Sequence, residues 1–241
     1  MQSTVTVLDI PIAAVTMKQA VAAVEDFITA KKTHLIATAN AEMIMMAQDD
    51  SELASILQQA DLVVPDGAGV VWASRYLGHP VPERVAGYDL AQQLLQQAAQ
   101  KGYRVYFFGA GPGIAVQAQA AAVARYPGLH IVGVRDGYFS MQEEAEIIEK
   151  IQASQSDILL VALGVPKQEK WLAKNLHLLG TPVVMGVGGT FDVMAGVVER
   201  APLWMQQASL EWLYRLLQQP QRFLRMLALP QFVLRVMSAK K

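Results

Sequence analysis

Residues 104–126 read RVYFFGAGPGIAVQAQAAAVARY. They begin with a short apolar run, continue through glycines at positions 109, 111 and 113, and end in a segment with the apolar spacing of a helix. An almost continuous apolar run bounded by glycine is typical of a strand that is buried on both faces of a sheet. The segment therefore predicts a strand, Arg104–Gly109, that turns sharply into a helix at residues 114–126.

The same strand–helix unit recurs along the chain. Strand–helix alternation at this spacing indicates right-handed βαβ units and a mostly parallel sheet with helices on both faces, an α/β fold. An additional N-terminal strand, Val5–Ile10, is expected at a sheet edge, followed by a helix from Thr16 to Ala30. The other predicted strands are His34–Ala39, Leu62–Pro65, His130–Val134, Ile158–Leu163 and Pro182–Val187, and the other helices lie near residues 41–60, 68–78, 88–101, 141–153 and 167–179.

Residues 203–241 differ in composition from residues 1–202. They hold six basic residues and one acid, a charge of +5, so the net charge of −1 leaves −6 for the rest of the chain. Large apolar residues and arginines alternate there at helical spacing, interrupted by Pro220 and Pro230. We predict a core at 1–202 and a C-terminal helical appendage at 203–241 that lies on an anionic membrane surface. The alternative is an appendage packed on the core or on a second subunit.

Composition narrows the possible chemistry. The chain has no cysteine, and its four histidines lack the spacing of metal ligands. No Asp-x-Asp pair follows a strand to hold Mg²⁺ against a diphosphate. We therefore expect no metal, no cofactor and no nucleic-acid partner. Because no leader and no spanning apolar run is found, the expected location is the cytoplasm.

Polar residues and glycines follow five of the predicted strands, where ligands bind in an open α/β sheet. Asp66 stands between a strand and Gly67. It is placed to act as a general base on a hydroxyl, or alternatively to cap the next helix. Lys167 can pair with a phosphate or remain a solvated charge, and Asp192 can bind a ligand hydroxyl or cap a helix.

The glycine loop at Gly109, Gly111 and Gly113 also allows two interpretations. Glycines before a helix let the backbone approach a phosphate, but the same residues form a plain tight turn. A dinucleotide fingerprint would need a third glycine where Ile114 stands. A nucleotide-dependent oxidoreductase is therefore a weaker alternative. If a nucleotide diphosphate is a leaving group, the arginines of the appendage are candidate counterions.

Nine short motifs, in order through nearly the whole chain, resemble the WecG/TagA/CpsF glycosyltransferases, glycosyltransferase family 26. Each is modest alone, and the set together is specific. The motifs are TAN (38–40), PDG (65–67), RVAGYD (84–89), FGAGPG (108–113), GYF (137–139), LGVPKQEKW (163–171), GVGGTFD (186–192), RAP (200–202) and LEWLYRL (210–216).

The resemblance implies an inverting, metal-independent transferase with a Rossmann-like core of the GT-E type. Its best-known members move N-acetylmannosamine, or its uronic acid, from UDP to undecaprenyl-diphosphate-linked GlcNAc for teichoic acid, common antigen or capsule. Such a protein would be peripheral on the inner face of the cell membrane, and a homo-oligomer is possible. A non-catalytic membrane module that binds a nucleotide sugar is a further alternative.

By the same resemblance, Asp66 is the base. The implied substrate-binding residues are Thr38, Asn40, Arg84, Gly109, Gly111, Tyr138, Lys167, Gln168, Gly189 and Asp192. Arg215, Arg222 and Arg225 are implied to reach the diphosphate and the membrane. Two positions depart from the family pattern: Ser209 stands where many members have glycine, and Met226 where an aromatic residue is common.

Overall fold

The computed structural model describes residues 3–239, apart from the side chains of Arg222 and Leu224. Its centre is a sheet of six parallel strands in the order β4-β3-β8-β7-β5-β6. The predicted α/β architecture is confirmed. The strands are β3 (His34–Ala39), β4 (Leu62–Pro65), β5 (Arg104–Gly109), β6 (His130–Arg135), β7 (Ile158–Ala162) and β8 (Val183–Gly186), and two N-terminal strands, β1 (Thr4–Val7) and β2 (Ile10–Ala13), lie outside this sheet.

Helices connect the strands and cover both faces of the sheet. In the core they are α1 (Met17–Ala30), α2 (Ala41–Asp49), α3 (Ser51–Gln59), α4 (Ala68–Tyr76), α5 (Gly87–Lys101), α6 (Ile114–Arg125), α7 (Glu144–Ala153), α8 (Lys167–Leu179) and α9 (Thr190–Met194). The last part of the chain contains α10 (Leu203–Gln207), α11 (Glu211–Gln218), a 3-10 turn (Pro220–Arg222), α12 (Phe223–Met226) and α13 (Ala228–Ala239).

Successive strand residues point to opposite faces, which divides the core in two. In β5, Val105 and Phe107 pack with α1, α5 and α6, whereas Tyr106 and Phe108 pack with α7 and α8. The strands of the sheet centre are buried on both sides, which explains why their sequences are almost continuously apolar.

The N-terminal strand prediction is wrong. Residues Val5–Ile10 do not form one edge strand; the chain turns at Leu8 and Asp9, and β1 and β2 pair as a separate antiparallel hairpin. Both turn residues have left-handed backbone angles, with φ of 47° and 65°. Because the period of a strand is two, Val5, Val7, Ile10 and Ile12 share one face, and that face packs on α2 and α4.

Two helix predictions also need correction. The helix expected at residues 41–60 is two helices, because Asp50 leaves the helical conformation and its side chain caps α3 through the backbone N–H of Leu53. Pro230 does not interrupt the last helix. It is the third residue of α13, in the first turn, where a backbone N–H has no partner within the helix and none is lost.

The last helix packs directly on the core. Phe232 and Val236 of α13 are fully buried in the apolar cluster that α2, α4 and the hairpin form. By contrast, α11 has no buried residue. Within residues 3–239, no helix combines the length and apolarity that crossing a bilayer requires.

Candidate active site

Asp66 follows β4 and faces a cavity. Its backbone N–H donates to the carbonyl of Ala39, which fixes the strand end, and Gly67 turns the chain with a φ of 94°. Gly67 itself occupies the N-cap position of α4, and no side chain caps that helix. The capping interpretation therefore does not account for Asp66. The backbone N–H of Gly87, at the start of α5, instead lies near its carboxylate and lowers its pKa.

The cavity has a volume of about 510 Å³ and lies between the core and the C-terminal helices. The ends of β3 and β4 and the start of α5 form its floor, and α11 and α13 form its walls. The lining residues include Asn40, Glu42, Asp66, Gly67, Arg84, Gly87, Tyr88, Ser209, Glu211, Trp212, Arg215, Met226, Leu229 and Phe232.

The electrostatic surroundings raise the proton affinity of Asp66. Burial, the strongest influence, raises the pKa of Asp66 to about 6. The guanidinium groups of Arg84 and Arg215 and the Gly87 N–H oppose this rise, whereas the carboxylate of Glu211 adds to it. The carboxylate is therefore mostly ionised at neutral pH and has a proton affinity well above that of a solvated aspartate.

A chain of ion pairs joins the appendage to the core beside this carboxylate. Glu211 binds Arg84 at 2.5 Å and Arg200 at 3.5 Å. Arg200 in turn forms a bidentate salt bridge with Asp89 of α5, with distances of 2.6 and 2.7 Å. The guanidinium of Arg200 also lies 4.6 Å from the ring centre of Tyr88. The sequence prediction missed Arg200 and Glu211, although both lie in the motifs RAP and LEWLYRL. The one usable signal was that Glu211 is the single acid of residues 203–241.

Thr38 and Asn40 lie on opposite sides of the cavity wall. The Oδ1 atom of Asn40 accepts from the backbone N–H of Met43 at 2.9 Å and so caps α2, while the side chain also lines the cavity. Thr38 is buried at the end of β3, behind Gly87: a Cβ atom at position 87 would stand only 3.0–3.1 Å from the Thr38 side chain. Thr38 therefore supports the backbone that lies near the Asp66 carboxylate.

The appendage arginines differ in their surroundings. Arg215 of α11 lines the cavity, and Arg225 of α12 pairs with Glu42 of α2. The side chain of Arg222 lies outside the described part of the structure. Pro220 separates α11 from α12, so the three arginines do not lie along one continuous helix.

The remaining predicted residues lie farther along the same edge of the sheet. Gly109 and Gly111 follow β5, Tyr138 follows β6, Lys167 and Gln168 follow β7, and Gly189 and Asp192 follow β8. Four strand spacings separate β4, which precedes Asp66, from β5, so the ends of these two strands are about 19 Å apart. The chain leaves β5 and β7 in opposite directions, to β6 and β8, which makes the crevice between them a topological switch point.

The structure defines the local surroundings of the predicted residues that follow β5, β6, β7 and β8. Gly109 has a φ of 119° and passes so close to β7 that a Cβ atom would lie 2.5 Å from the backbone of Ala162. Tyr138 and Lys167 are exposed, and burial raises the pKa of Asp192. Gly189 holds the N-cap position of α9.

Gln168 and Glu169 form a buried pair behind the loop that follows β8. The Oε1 atom of Gln168 accepts from the backbone N–H of Gly188 at 3.0 Å, and its Nε2 atom donates to Glu169 at 2.8 Å. Burial raises the pKa of Glu169 to about 7, and its Oε2 atom has no hydrogen-bond partner in the described structure. The pair holds the loop at Gly188 in place from beneath.

Fold and site together define an α/β enzyme that sets one partly buried carboxylate among guanidinium groups. Within residues 3–239, no three His, Cys, Asp or Glu side chains are grouped so as to hold a metal ion. The chain belongs to the glycosyl transferase WecG/TagA/CpsF family, whose profile matches residues 5–241.

Two named relatives are similar to most of the chain. The N-acetylglucosaminyldiphosphoundecaprenol N-acetyl-beta-D-mannosaminyltransferase of Bacillus spizizenii strain W23 is 40% identical over 215 residues, which cover 89% of this chain and 83% of the relative. The protein of the same name from Bacillus subtilis strain 168 is 36% identical over the same shares of both chains.

Proposed function

We propose that this glycosyltransferase moves N-acetylmannosamine from a UDP donor to undecaprenyl-diphosphate-linked GlcNAc, as the names of its relatives indicate for acceptor and sugar. The observation that carries the proposal is Asp66, a carboxylate of raised pKa at the floor of a cavity whose walls supply Arg84 and Arg215. That arrangement suits a base for a hydroxyl beside a substrate that carries phosphate.

The proposed step is a direct displacement with inversion. The acceptor hydroxyl attacks the anomeric carbon of the donor sugar while Asp66 takes the hydroxyl proton. A new bond forms between that oxygen and the anomeric carbon as the bond from the carbon to the UDP oxygen breaks, and UDP leaves with the electron pair. Guanidinium groups and backbone N–H groups stabilise the negative charge that develops on the diphosphate.

The donor nucleotide is assigned to the switch point between β5 and β7. Gly109 and Gly111 bring backbone close to that crevice, and the exposed ring of Tyr138 is available for stacking on a base. Gln168 and Asp192 border the same edge of the sheet. With the nucleotide there, the donor would extend along the edge of the sheet so that its sugar approaches Asp66.

Reaction without a metal ion is part of the proposal, and the guanidinium groups at the cavity support it. Arg84 and Arg215 line the cavity, and Arg225 stands beside it, paired with Glu42. These guanidinium groups can neutralise a diphosphate in the place of Mg²⁺. The expected result is full activity in the presence of EDTA.

The acceptor is a lipid, so we place the enzyme at the inner face of the cell membrane. The C-terminal helices expose apolar side chains beside the cavity that would receive the diphosphate. Those that are most exposed are Leu203, Trp204, Leu217, Phe223 and Leu234. This surface is suited to peripheral contact with the bilayer, with the cavity opening towards the lipid. Self-association is compatible with the same surface.

The deciding experiment measures UDP release with purified protein, a short-chain lipid-diphosphate-GlcNAc acceptor and a panel of UDP-sugars. Release is expected with UDP-N-acetylmannosamine, only when acceptor is present, and with a loss of about 10²–10⁴-fold in Asp66→Asn. Asp26→Asn, an exposed aspartate of α1, is the matched control and should keep full activity. If none of the UDP-sugars gives UDP release, or if Asp66→Asn keeps full activity, the proposal is refuted.

A further inference from the structure

We propose that Glu211 is a positioning residue: two guanidinium groups of the core bind its carboxylate, and this clamp docks α11 so that Arg215 stands beside Asp66. The proposal extends the function proposed above by assigning a role to a residue that makes no contact with the reacting atoms. It starts from the contacts of α11 with the core.

Packing alone holds α11 weakly. The helix has eight residues, from Glu211 to Gln218, and none of them is buried. Its described polar contacts with the core are those of Glu211, together with a hydrogen bond from Tyr214 to Glu199 at 3.2 Å between exposed side chains. A helix with no fully buried residue gains less from the hydrophobic effect than a core helix does, so its position also depends on specific polar contacts.

The Glu211 clamp is far less exposed than an ordinary surface ion pair. The side chain of Glu211 is 14% exposed, and those of Arg84 and Arg200 are 25% and 21% exposed. Arg200 is itself fixed by its two bonds to Asp89, so the clamp is anchored to α5. Partly buried, multiply bonded charges of this kind are screened weakly by solvent, and removal of one partner leaves the others without compensation.

Helix geometry transfers this anchoring to Arg215. Residues four apart on a helix lie on the same face, so fixing Glu211 against the core also directs Arg215 towards it. Both side chains line the cavity of Asp66, as does Trp212 between them. If α11 moves away, the cavity loses a wall and Asp66 loses a neighbouring cation.

Hydrogen exchange separates docking from a simple through-space effect, because the pKa of Asp66 responds to both. Asp66 is influenced by Arg84 from the loop before α5, and by Arg215 and Glu211 from α11, while Glu42 of α2 also lines the cavity. Arg215 lowers the pKa of Asp66 more than Glu211 raises it. Removal of the Glu211 charge with α11 in place would lower that pKa. Undocking of α11 removes both charges and also admits water to Asp66, which relieves the burial that raises its pKa, so the two effects oppose each other.

The test compares Glu211→Gln, Arg215→Gln and the double variant, with Glu146→Gln as the control because Glu146 forms an exposed pair with Lys150 on α7. Hydrogen exchange of the α11 amides should be faster by about tenfold in Glu211→Gln and unchanged in the control. The acidic limb of kcat/KM should move to higher pH in Arg215→Gln, where a cation is lost while α11 stays docked. The loss of kcat/KM in the double variant should be no greater than in Glu211→Gln alone, because displacement of α11 already takes Arg215 out of the site.

Unchanged exchange in α11, or additive losses of kcat/KM in the double variant, would overturn the proposal. Glu211→Asp keeps the charge and shortens the side chain by one methylene, so it should fold and show intermediate exchange even if Glu211→Gln does not fold. Because hydrogen exchange requires no substrate, its result stands whether or not UDP release is observed. Failure of the proposed function and failure of the docking role are therefore distinguishable.

Discussion

The backbone N–H of Gly87 lies near the carboxylate of Asp66 and lowers its pKa. The side chain of Thr38 fills the space where a Cβ atom at position 87 would lie. Gly87 begins α5, so the helix start, the strand end at Thr38 and the Asp66 carboxylate are one packed unit. The position of the Asp66 carboxylate is therefore sensitive to the size of the side chains behind it, including that of Thr38, which does not line the cavity.

Gly87→Ala should weaken both stability and catalysis. The added Cβ would meet Thr38 at 3.0–3.1 Å, so the backbone N–H must shift away from Asp66. We expect a loss of about 1–3 kcal/mol in the free energy of unfolding and a fall of about tenfold in kcat. Thermal unfolding and UDP release measure the two effects. In the Gly87→Ala background, Thr38→Ser removes the closest methyl group and should restore part of the stability; no restoration would contradict this packing explanation.

Arg84→Gln should move the acidic limb of the pH–rate profile to higher pH. Asp66 must be ionised to accept a proton, and with a pKa of about 6 its activity is expected to fall as the pH drops through that value. Arg84 is the strongest charge that opposes protonation of Asp66, so its removal raises the pKa. The measurement is kcat/KM between pH 5 and 9. Arg75→Gln, an exposed arginine of α4, serves as the control, and a similar shift there would refute the electrostatic assignment.

Ser209→Gly should stabilise the protein. Ser209 follows α10 with a left-handed φ of 61°, a conformation that glycine adopts without strain. Relief of strain less the greater entropy of an unfolded glycine gives an expected gain of about 0.5–1 kcal/mol. Chemical denaturation measures it. The neighbouring Ala208 has a φ of −76°, so Ala208→Gly should lose stability instead.

The sheet could be predicted from the sequence because each of its strands carries its own signal. Strands β3, β4 and β5 have the predicted limits, since their apolar runs end in a polar residue or a glycine. The hairpin was missed because VTVLDI reads as one strand and its turn, Leu8-Asp9, contains no glycine or asparagine. The chain folds back there because the hairpin packs against α2 and α4, and the local sequence does not reveal this packing.

The residues of the candidate site, too, could be predicted only in part from the sequence. Asp66 could be selected from its place between a strand and a glycine, reinforced by the family motif. The Glu211 clamp could not, because its partner Arg84 is 127 residues away in the sequence and no local pattern links them. The partner of Arg200, Asp89, is likewise 111 residues away. Pairings of this range are fixed by the way α11 and α5 meet in space.

Glu169→Gln should change the pH dependence of stability. The folded protein holds the Glu169 carboxyl neutral up to a pKa of about 7, whereas in the unfolded chain the carboxyl ionises near its ordinary pKa of 4.5. Between these values the folded state binds the extra proton, so the stability of the native protein falls as the pH rises from 4.5 to 7. The difference in pKa corresponds to about 3 kcal/mol.

The Gln variant cannot ionise there and should become more stable relative to the native protein by about that amount between pH 4 and pH 8. Urea denaturation at a series of pH values measures the difference. Glu149→Gln, on the exposed face of α7, is the control and should follow the native protein. Parallel stability curves for Glu169→Gln and the native protein would show that burial of Glu169 does not favour its neutral form.

Replacing exposed apolar residues of the C-terminal helices should weaken membrane binding without affecting the fold. Leu217 and Phe223 are 69% and 58% exposed, so Leu217→Ser/Phe223→Ser removes apolar surface that makes little contact within the protein. If these side chains enter the bilayer interface, the partition coefficient on vesicles containing anionic lipid should fall by about tenfold or more. Co-sedimentation measures it, and thermal unfolding should be unchanged.

Met141 is 85% exposed after β6, at the other end of the sheet from β4. Met141→Ser should therefore bind vesicles like the native protein, and an equal loss there would indicate nonspecific adsorption through any exposed apolar residue.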